Sequence, residues 1–296
     1  MRELLKGVVD LHVHAGPSIA HRNVDAAEMM REAEFLGYRA FVIKDHCFPT
    51  EMSAQLMEKH FSKGITKPLG AMVINRFMGG FALNGIATAV EMGTRMIYLP
   101  TTTAKNHIIG VQKPGAIPFK AVGKNNIPIE PMVVLDDKGE LLPEVVATLE
   151  YLATQPQVCL ATGHLSAEEV DAVVDKAVDL GMKKLVITHP YYLVDATMDQ
   201  MKKWAKQGAY IELNACLSLP HSQHYSLDRQ GTLDILEQIG CEHIVIDSDL
   251  GFGENYFPTE GMIMFFDMLL KDLKVTEEQL NLMSKKTPAM LMGLDD

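Results

Sequence analysis

No stretch of this sequence runs to the roughly 18 consecutive apolar residues that a membrane helix needs. Its opening, MRELLKGVVDLHVH, turns polar too early to serve as a signal peptide. Clustered Lys and Arg are also missing, and the net charge is −11. Nucleic acid is therefore a poor partner, because neutralising phosphates requires grouped cations. Cysteine is scarce: Cys47, Cys159, Cys216 and Cys241 stand far apart with no C-x-x-C, which suits reduced thiols better than a disulfide frame. No linker, low-complexity tract or internal repeat divides the chain. These absences lead to the expectation of a cytoplasmic protein that works on a small molecule, and they leave open whether it is a homo-oligomer.

What is present is an alternation of two patterns. The chain has 296 residues, 47% of them hydrophobic, enough for one large core. Short runs rich in Val, Ile and Leu occur at 8–14, 40–46, 69–75, 96–102, 158–164, 184–189, 210–214 and 243–249. Amphipathic segments separate them, with recognisable starts and stops. The segment 24–36 halts at Gly37. Ser166-x-x-Glu169 forms a capping box ahead of a helix that ends at Gly181, 197–207 halts at Gly208, and Thr276-x-x-Gln279 caps another helix. Apolar strands alternating with such helices predict a parallel sheet covered on both faces. Eight repeats close most naturally as a TIM-like (β/α)8 barrel, a single domain over 1–296. One irregularity is a long insertion after strand 4, residues 104–140, which predicts a hairpin around Asp137-Lys138-Gly139. Loops of this length are usually functional, so it is expected to be a lid or substrate wall, or else a surface or subunit contact.

The C-terminal ends of the strands are unusually polar. Strand 1 ends His12-x-His14, with Asp10 expected on the same face by strict alternation. Strand 2 ends Lys44-Asp45-His46, strand 5 Thr162-Gly163-His164, strand 6 Thr188-His189-Pro190 and strand 8 Asp247-Ser248-Asp249. Barrel closure gathers these ends around one mouth. Imidazole nitrogen and carboxylate oxygen are the donors that zinc and its first-row neighbours prefer. Such an ion lowers the pKa of a water it binds from 15.7 towards about 7, and a nearby carboxylate can carry the proton.

This ordered set of ligand types resembles the amidohydrolase superfamily of metal-dependent hydrolases, and Ser284–Leu294 is similar to that superfamily's closing helix. The resemblance implies that His12 and His14 bind the more buried metal, and that His164 and His189 bind a second metal or the substrate. The strand-8 Asp would bind a metal and serve the nucleophilic water as general base and then acid. Asp247 and Asp249 share parity; the Ser-Asp-Leu-Gly context favours Asp249, with Asp247 as a buried supporting carboxylate. The implied cofactor is Zn2+, as one or two ions, with Mn, Fe or Ni as alternatives. Two-metal members carry a carbamylated Lys or a Glu at the end of strand 4, where this chain has Leu99-Pro-Thr-Thr-Thr103. Lys44 could instead supply the bridge, with Lys105 behind it, or stay a cation that holds a substrate anion.

Further candidates for the substrate pocket are His46, Arg22, Lys105 and His107. Arg22 has two readings, an anion clamp or a solvated arginine before a helix. Gly16 lets the turn after the histidine pair pass close to the site. Tyr191 and Tyr192 are expected to pack on their loop, and His221 and His224 to sit on a loop at the mouth. His60 and His243 are expected to be structural, and the nineteen methionines to fill core. The resemblance implies hydrolysis of an amide, cyclic amide or lactone. Its competitors are a mononuclear decarboxylase, a phosphoesterase, and a metal-stabilised barrel that binds without turnover.

Overall fold

The computed structural model describes residues 2–112 and 129–294. Eight strands lie in chain order, each parallel to the next: β1 (Val9–Val13), β2 (Ala40–Ile43), β3 (Lys67–Val73), β4 (Met96–Tyr98), β5 (Cys159–Ala161), β6 (Leu185–Ile187), β7 (Tyr210–Asn214) and β8 (Ile244–Asp247). The seam between β8 and β1 is closed by backbone bonds just above β8. The Asp249 N–H donates to the His12 carbonyl at 2.9 Å, and the His14 N–H to the Leu250 carbonyl at 2.8 Å. The expected TIM-like barrel is therefore the fold. Among the described residues, no helix is long and apolar enough to cross a membrane.

Two apolar clusters hold the barrel together. Val9, Leu11, Val42, Met96, Tyr98 and Val245 fill its interior, which Leu291 and Met292 from the last helix (Thr287–Met292) help to seal. Outward-facing residues such as Phe41, Ile97, Ile187 and Ile246 pack under the helices. Each fully buried aliphatic side chain contributes on the order of 1.5–3 kcal/mol. Helix boundaries follow the capping chemistry. Ser166, Thr197 and Thr276 each accept from the N–H three residues on, and each capping box is complete. The segment resembling a closing helix is in fact two pieces, a π-helical turn (Leu282–Lys286) running into Thr287–Met292.

The sequence-based strands differ from the observed ones in two ways that matter. Most stop one to four residues short of their expected ends. His14, Lys44, His46, His164, His189 and Asp249 therefore sit in the first turns of the loops, and only His12 lies within a strand. In addition, β1 is bulged. Asp10 pairs with Phe41, but Val13 pairs with Ile43, so three steps on β1 oppose two on β2. The extra residue lets Leu11 stay in the interior cluster while His12 reaches the mouth. Asp10 consequently does not share the histidine face. Its Oδ1 accepts the N–H groups of His12 (3.1 Å) and Ser248 (3.0 Å), pinning the bulge to β8.

The insertion after β4 begins with a short helix (Lys105–Gly110) and returns through Met132, whose backbone exchanges 2.7 Å bonds with Thr103 and Lys105. The predicted hairpin is a single bridge, Leu135 to Leu141, with Gly139 at φ 82° in its turn. The middle of the expected lid or wall, 113–128, lies outside the described residues.

Candidate metal centre

His12 is at the centre of the site. Its Nδ1 lies 3.0 Å from Glu212 Oε1 on β7, and both side chains are fully buried. The other Glu212 oxygen accepts the His189 backbone N–H at 2.9 Å, so one carboxylate fixes both the His12 imidazole and the loop after β6. Burial alone would raise the Glu212 pKa. The charge and hydrogen bond of His12, with His189 and a bond from Asp247, bring it well below the usual carboxylate range. Asp247 moves the opposite way: burial and the Glu212 charge hold it well above the ordinary value. Asn214 also donates to Asp247, at 2.7 Å.

With Nδ1–H committed to Glu212, His12 presents Nε2 to the mouth. Asp249 Oδ1 lies 3.0 Å from that nitrogen and 3.1 Å from His14 Nε2. Lys44 Nζ lies 2.7 Å from the same His12 Nε2 and 4.2 Å above the Tyr98 ring. The ammonium can only donate and the carboxylate can only accept, yet both press on one nitrogen. No single protonation state of His12 satisfies the two. A cation drawing on the Nε2 lone pairs and Oδ1 would resolve the conflict. Zinc bonds of about 2.0–2.1 Å in a tetrahedron set donors about 3.3–3.4 Å apart, close to the spacing found. His12, His14 and Asp249 thus fit a metal ion, and their donor atoms all lie within 4.8 Å of one another. Burial, followed by the charge of Arg22, keeps the His14 pKa well below normal, as ligation by neutral imidazole requires. Burial lowers the Lys44 pKa to about 8, against the pull of Asp249, Glu212 and Asp247.

His46, His107, His164 and His189 surround the same mouth without joining that donor set. His164 Nδ1 is 2.7 Å from His107 Nδ1, and the two rings stack. His189 sits 5.0 Å from His164 between ring centroids, with its Nδ1 buried and without a hydrogen-bond partner among the described residues. His46 Nδ1 meets Thr101 Oγ1 at 2.8 Å, and Asn75 holds Thr101 in place. A cavity opens between them, lined by six histidines (14, 46, 107, 164, 189 and 224) with Lys44, Arg22 and Asp249 and an apolar side of Leu193, Leu217 and Phe252.

Local backbone geometry serves this arrangement. His189 and Asp249 adopt φ of 24° and 47°, conformations that side-chain-bearing residues rarely hold unless their surroundings enforce them. Gly163, at φ 62°, has no such strain, and a Cβ there would collide with the Leu99 carbonyl. That close approach sets His164 against the end of β4.

Of the expected substrate residues, His46, His107 and Arg22 line the cavity. Lys105 is not among the described residues that line it and sits exposed at the start of its short helix. Arg22 is not a solvated arginine, since its side chain is only 4% exposed. Asp249 is the strand-8 carboxylate that meets the histidine pair, while Asp247 supports Glu212. Of the two loop histidines, His224 lines the cavity and bonds Tyr192 Oη at 3.1 Å, whereas His221 is exposed. Tyr191 is spent on Asn214, to which its hydroxyl donates at 2.9 Å. Sequence reasoning passed over Glu212, although an acid flanked by Ile and Leu in the middle of an apolar strand is itself a signal. It also passed over the Asn75–Thr101 brace.

Comparison with known proteins agrees with this architecture. A search of curated proteins finds no match. Among solved structures, the chain is similar to an uncharacterised TIM-barrel protein from Bordetella bronchiseptica (10% identity, 97% and 98% of the two chains covered, TM-score 0.59). It is also similar to an organophosphorus hydrolase from Deinococcus radiodurans (14% identity, 99% and 94%, TM-score 0.56). A third likeness is to a candidate 2-pyrone-4,6-dicarboxylic acid hydrolase from Pseudomonas putida (12% identity, 98% of each chain, TM-score 0.56). At these identities the likeness establishes the fold, and the resemblance to amidohydrolase barrels holds at that level. One family model matches residues 7–212, from the start of the histidine strand to Glu212, and the chain belongs to that family, DUF6282, described as a family of unknown function.

Proposed function

We propose that this barrel is a one-ion metal-dependent hydrolase that attacks an amide, cyclic amide or lactone centre. The observation that carries the reading is the conflict at His12 Nε2, where a carboxylate oxygen at 3.0 Å and an amine at 2.7 Å compete for a nitrogen already fixed by Glu212. Zinc suits two imidazoles and a carboxylate, with Mn, Fe and Ni as the competitors to test. When bound, the ion would acidify a water and polarise the substrate carbonyl.

The protein's own groups supply the rest. His12 and His14 hold the ion, and Glu212 keeps His12 in the tautomer that can do so. Asp249 offers Oδ1 to the ion and has Oδ2 to take the proton of the attacking water and pass it to the leaving group. Lys44, at a pKa of about 8, stands ready as a cation against the negative charge that builds up on the substrate oxygen. His164, His189 and Tyr192 surround the substrate, and the cavity's apolar side excludes water around it. Four widely spaced cysteines with no C-x-x-C fit a reducing, cytoplasmic setting.

The test is a purified protein assayed for bound metal and for turnover against a panel of lactones, cyclic amides and linear amides. Asp249→Asn is expected to retain the ion and lose about 10²–10⁴ in kcat. Full turnover by that variant with metal still bound overturns the proposal. A single-ion donor set also suits a decarboxylase. Carbon dioxide release without incorporation of labelled water oxygen would decide for that second reading.

A further inference from the structure

Arg22 lies in the loop after β1, and its guanidinium is buried against the cavity wall with only 4% of the side chain exposed. Taking such a group out of water is costly unless its donors are satisfied. Only one of them is: Nη2 donates to Asp45 Oδ2 at 3.0 Å. Nε and Nη1 have no hydrogen-bond partner among the described residues. Nothing about the placement is loose. Asp45 Oδ1 is itself fixed by the N–H groups of Cys47 (2.8 Å) and Phe48 (3.2 Å), and the Arg22 backbone bridges to Phe252. The chain therefore builds a rigid support for a guanidinium and leaves most of its fork unused.

We propose that Arg22 is the anchor for a carboxylate on the substrate, so that the substrate class is a small carboxylic acid with its hydrolysable bond elsewhere in the molecule. Arg22 and Asp249 line the same cavity, so an anion held by the one lies within a small molecule's reach of the other. A planar guanidinium fork matches a planar carboxylate and orients it as well as binding it. Phe252 and Leu217 provide an apolar surface for the carbon skeleton between the two ends. A phosphate group fits less well, since among the described residues that line the cavity Lys44 is the only other Lys or Arg. The inference rests on the cavity being the substrate site proposed above, but it does not depend on which bond is broken there.

The experiment titrates benzoate and its neutral isostere benzamide into the full-length, zinc-loaded protein by calorimetry, with a parallel series on chelator-treated protein to separate direct ligation of zinc. Benzoate is expected to bind at least tenfold more tightly than benzamide in both series. Arg22→Met should remove that preference, and Arg22→Lys should restore only part of it, because the charge returns without the fork. Should Arg22→Met fail to fold with Asp45 left unpaired, the Arg22→Met/Asp45→Asn double variant, which removes the ion pair whole, is expected to show the same loss. Metal content and the effect of Asp249→Asn are measured on the same samples, so a failed metal reading is visible separately. Equal binding of the two probes overturns the proposal, as does no benzoate binding to the unmodified protein. An unchanged preference in Arg22→Met, or tighter binding of inorganic phosphate than of benzoate, does the same.

Discussion

Glu212 Oε1 sits 3.0 Å from His12 Nδ1 at complete burial, and through its other oxygen the same carboxylate holds the His189 backbone. A carboxylate behind a metal-facing imidazole fixes its orientation and raises its basicity. Glu212→Gln keeps the shape but loses the charge. It is expected to weaken metal affinity by about 10–100-fold, as read by competition with a chromophoric chelator. Unchanged affinity would mean that His12 is oriented by something else.

Among the described residues, donor atoms lie within reach of one another in two groups that share His12, one with His14 and Asp249 and one with Glu212 and Asp247; in the second, Glu212 already takes up His12 Nδ1, and His164 is turned towards His107. Elemental analysis should therefore find one ion per chain. His14→Ala is expected to lose it and His164→Ala to keep it. Intact mass should show Lys44 unmodified, and two ions with an added carboxyl on that lysine would contradict the one-ion arrangement.

Gly163 passes so close to β4 that an added methyl group meets the Leu99 carbonyl, in a backbone conformation that alanine disfavours. Gly163→Ala is expected to cost about 1–3 kcal/mol in urea unfolding and to displace His164. A structure of the variant with an unmoved His164 ring would show that the loop has slack.

A prediction about pH concerns Glu34, far from the mouth. Burial works to raise its pKa, but N–H groups of Lys63 and Thr66 and the Ser62 hydroxyl, all on Oε1, bring it below the ordinary value. A carboxylate lowered in the folded state stabilises above its unfolded pKa of about 4.3, and that contribution fades as pH falls through the folded value. Glu34→Gln is expected to lose about 1–2 kcal/mol at pH 7. The gap from the unmodified protein should narrow below about pH 4. A gap that stays constant down to pH 3 would place the effect in packing rather than charge.

Much of the fold was legible because it depends on local rules. Periodicity marked all eight strands, and Ser166 and Thr276 opened helices as residues of their kind do. The histidines stood out because a polar residue at the end of an apolar run is conspicuous. What escaped depends on pairing between distant segments. The β1 bulge exists only relative to β2, so alternation misplaced Asp10. Whether Arg22 and Lys105 are buried or solvated is decided by neighbours that the sequence around them does not contain. Glu212 was conspicuous in its strand, but its role needed His12 from the other end of the chain.

His189 and Asp249 both hold a left-handed backbone at the mouth, a conformation in which glycine or asparagine is more at ease. Selection for heat resistance alone, with no demand on turnover, should thus favour replacements at these two positions. A laboratory lineage bred that way would become sturdier and inert together, and sequencing it would show where the molecule keeps its tension.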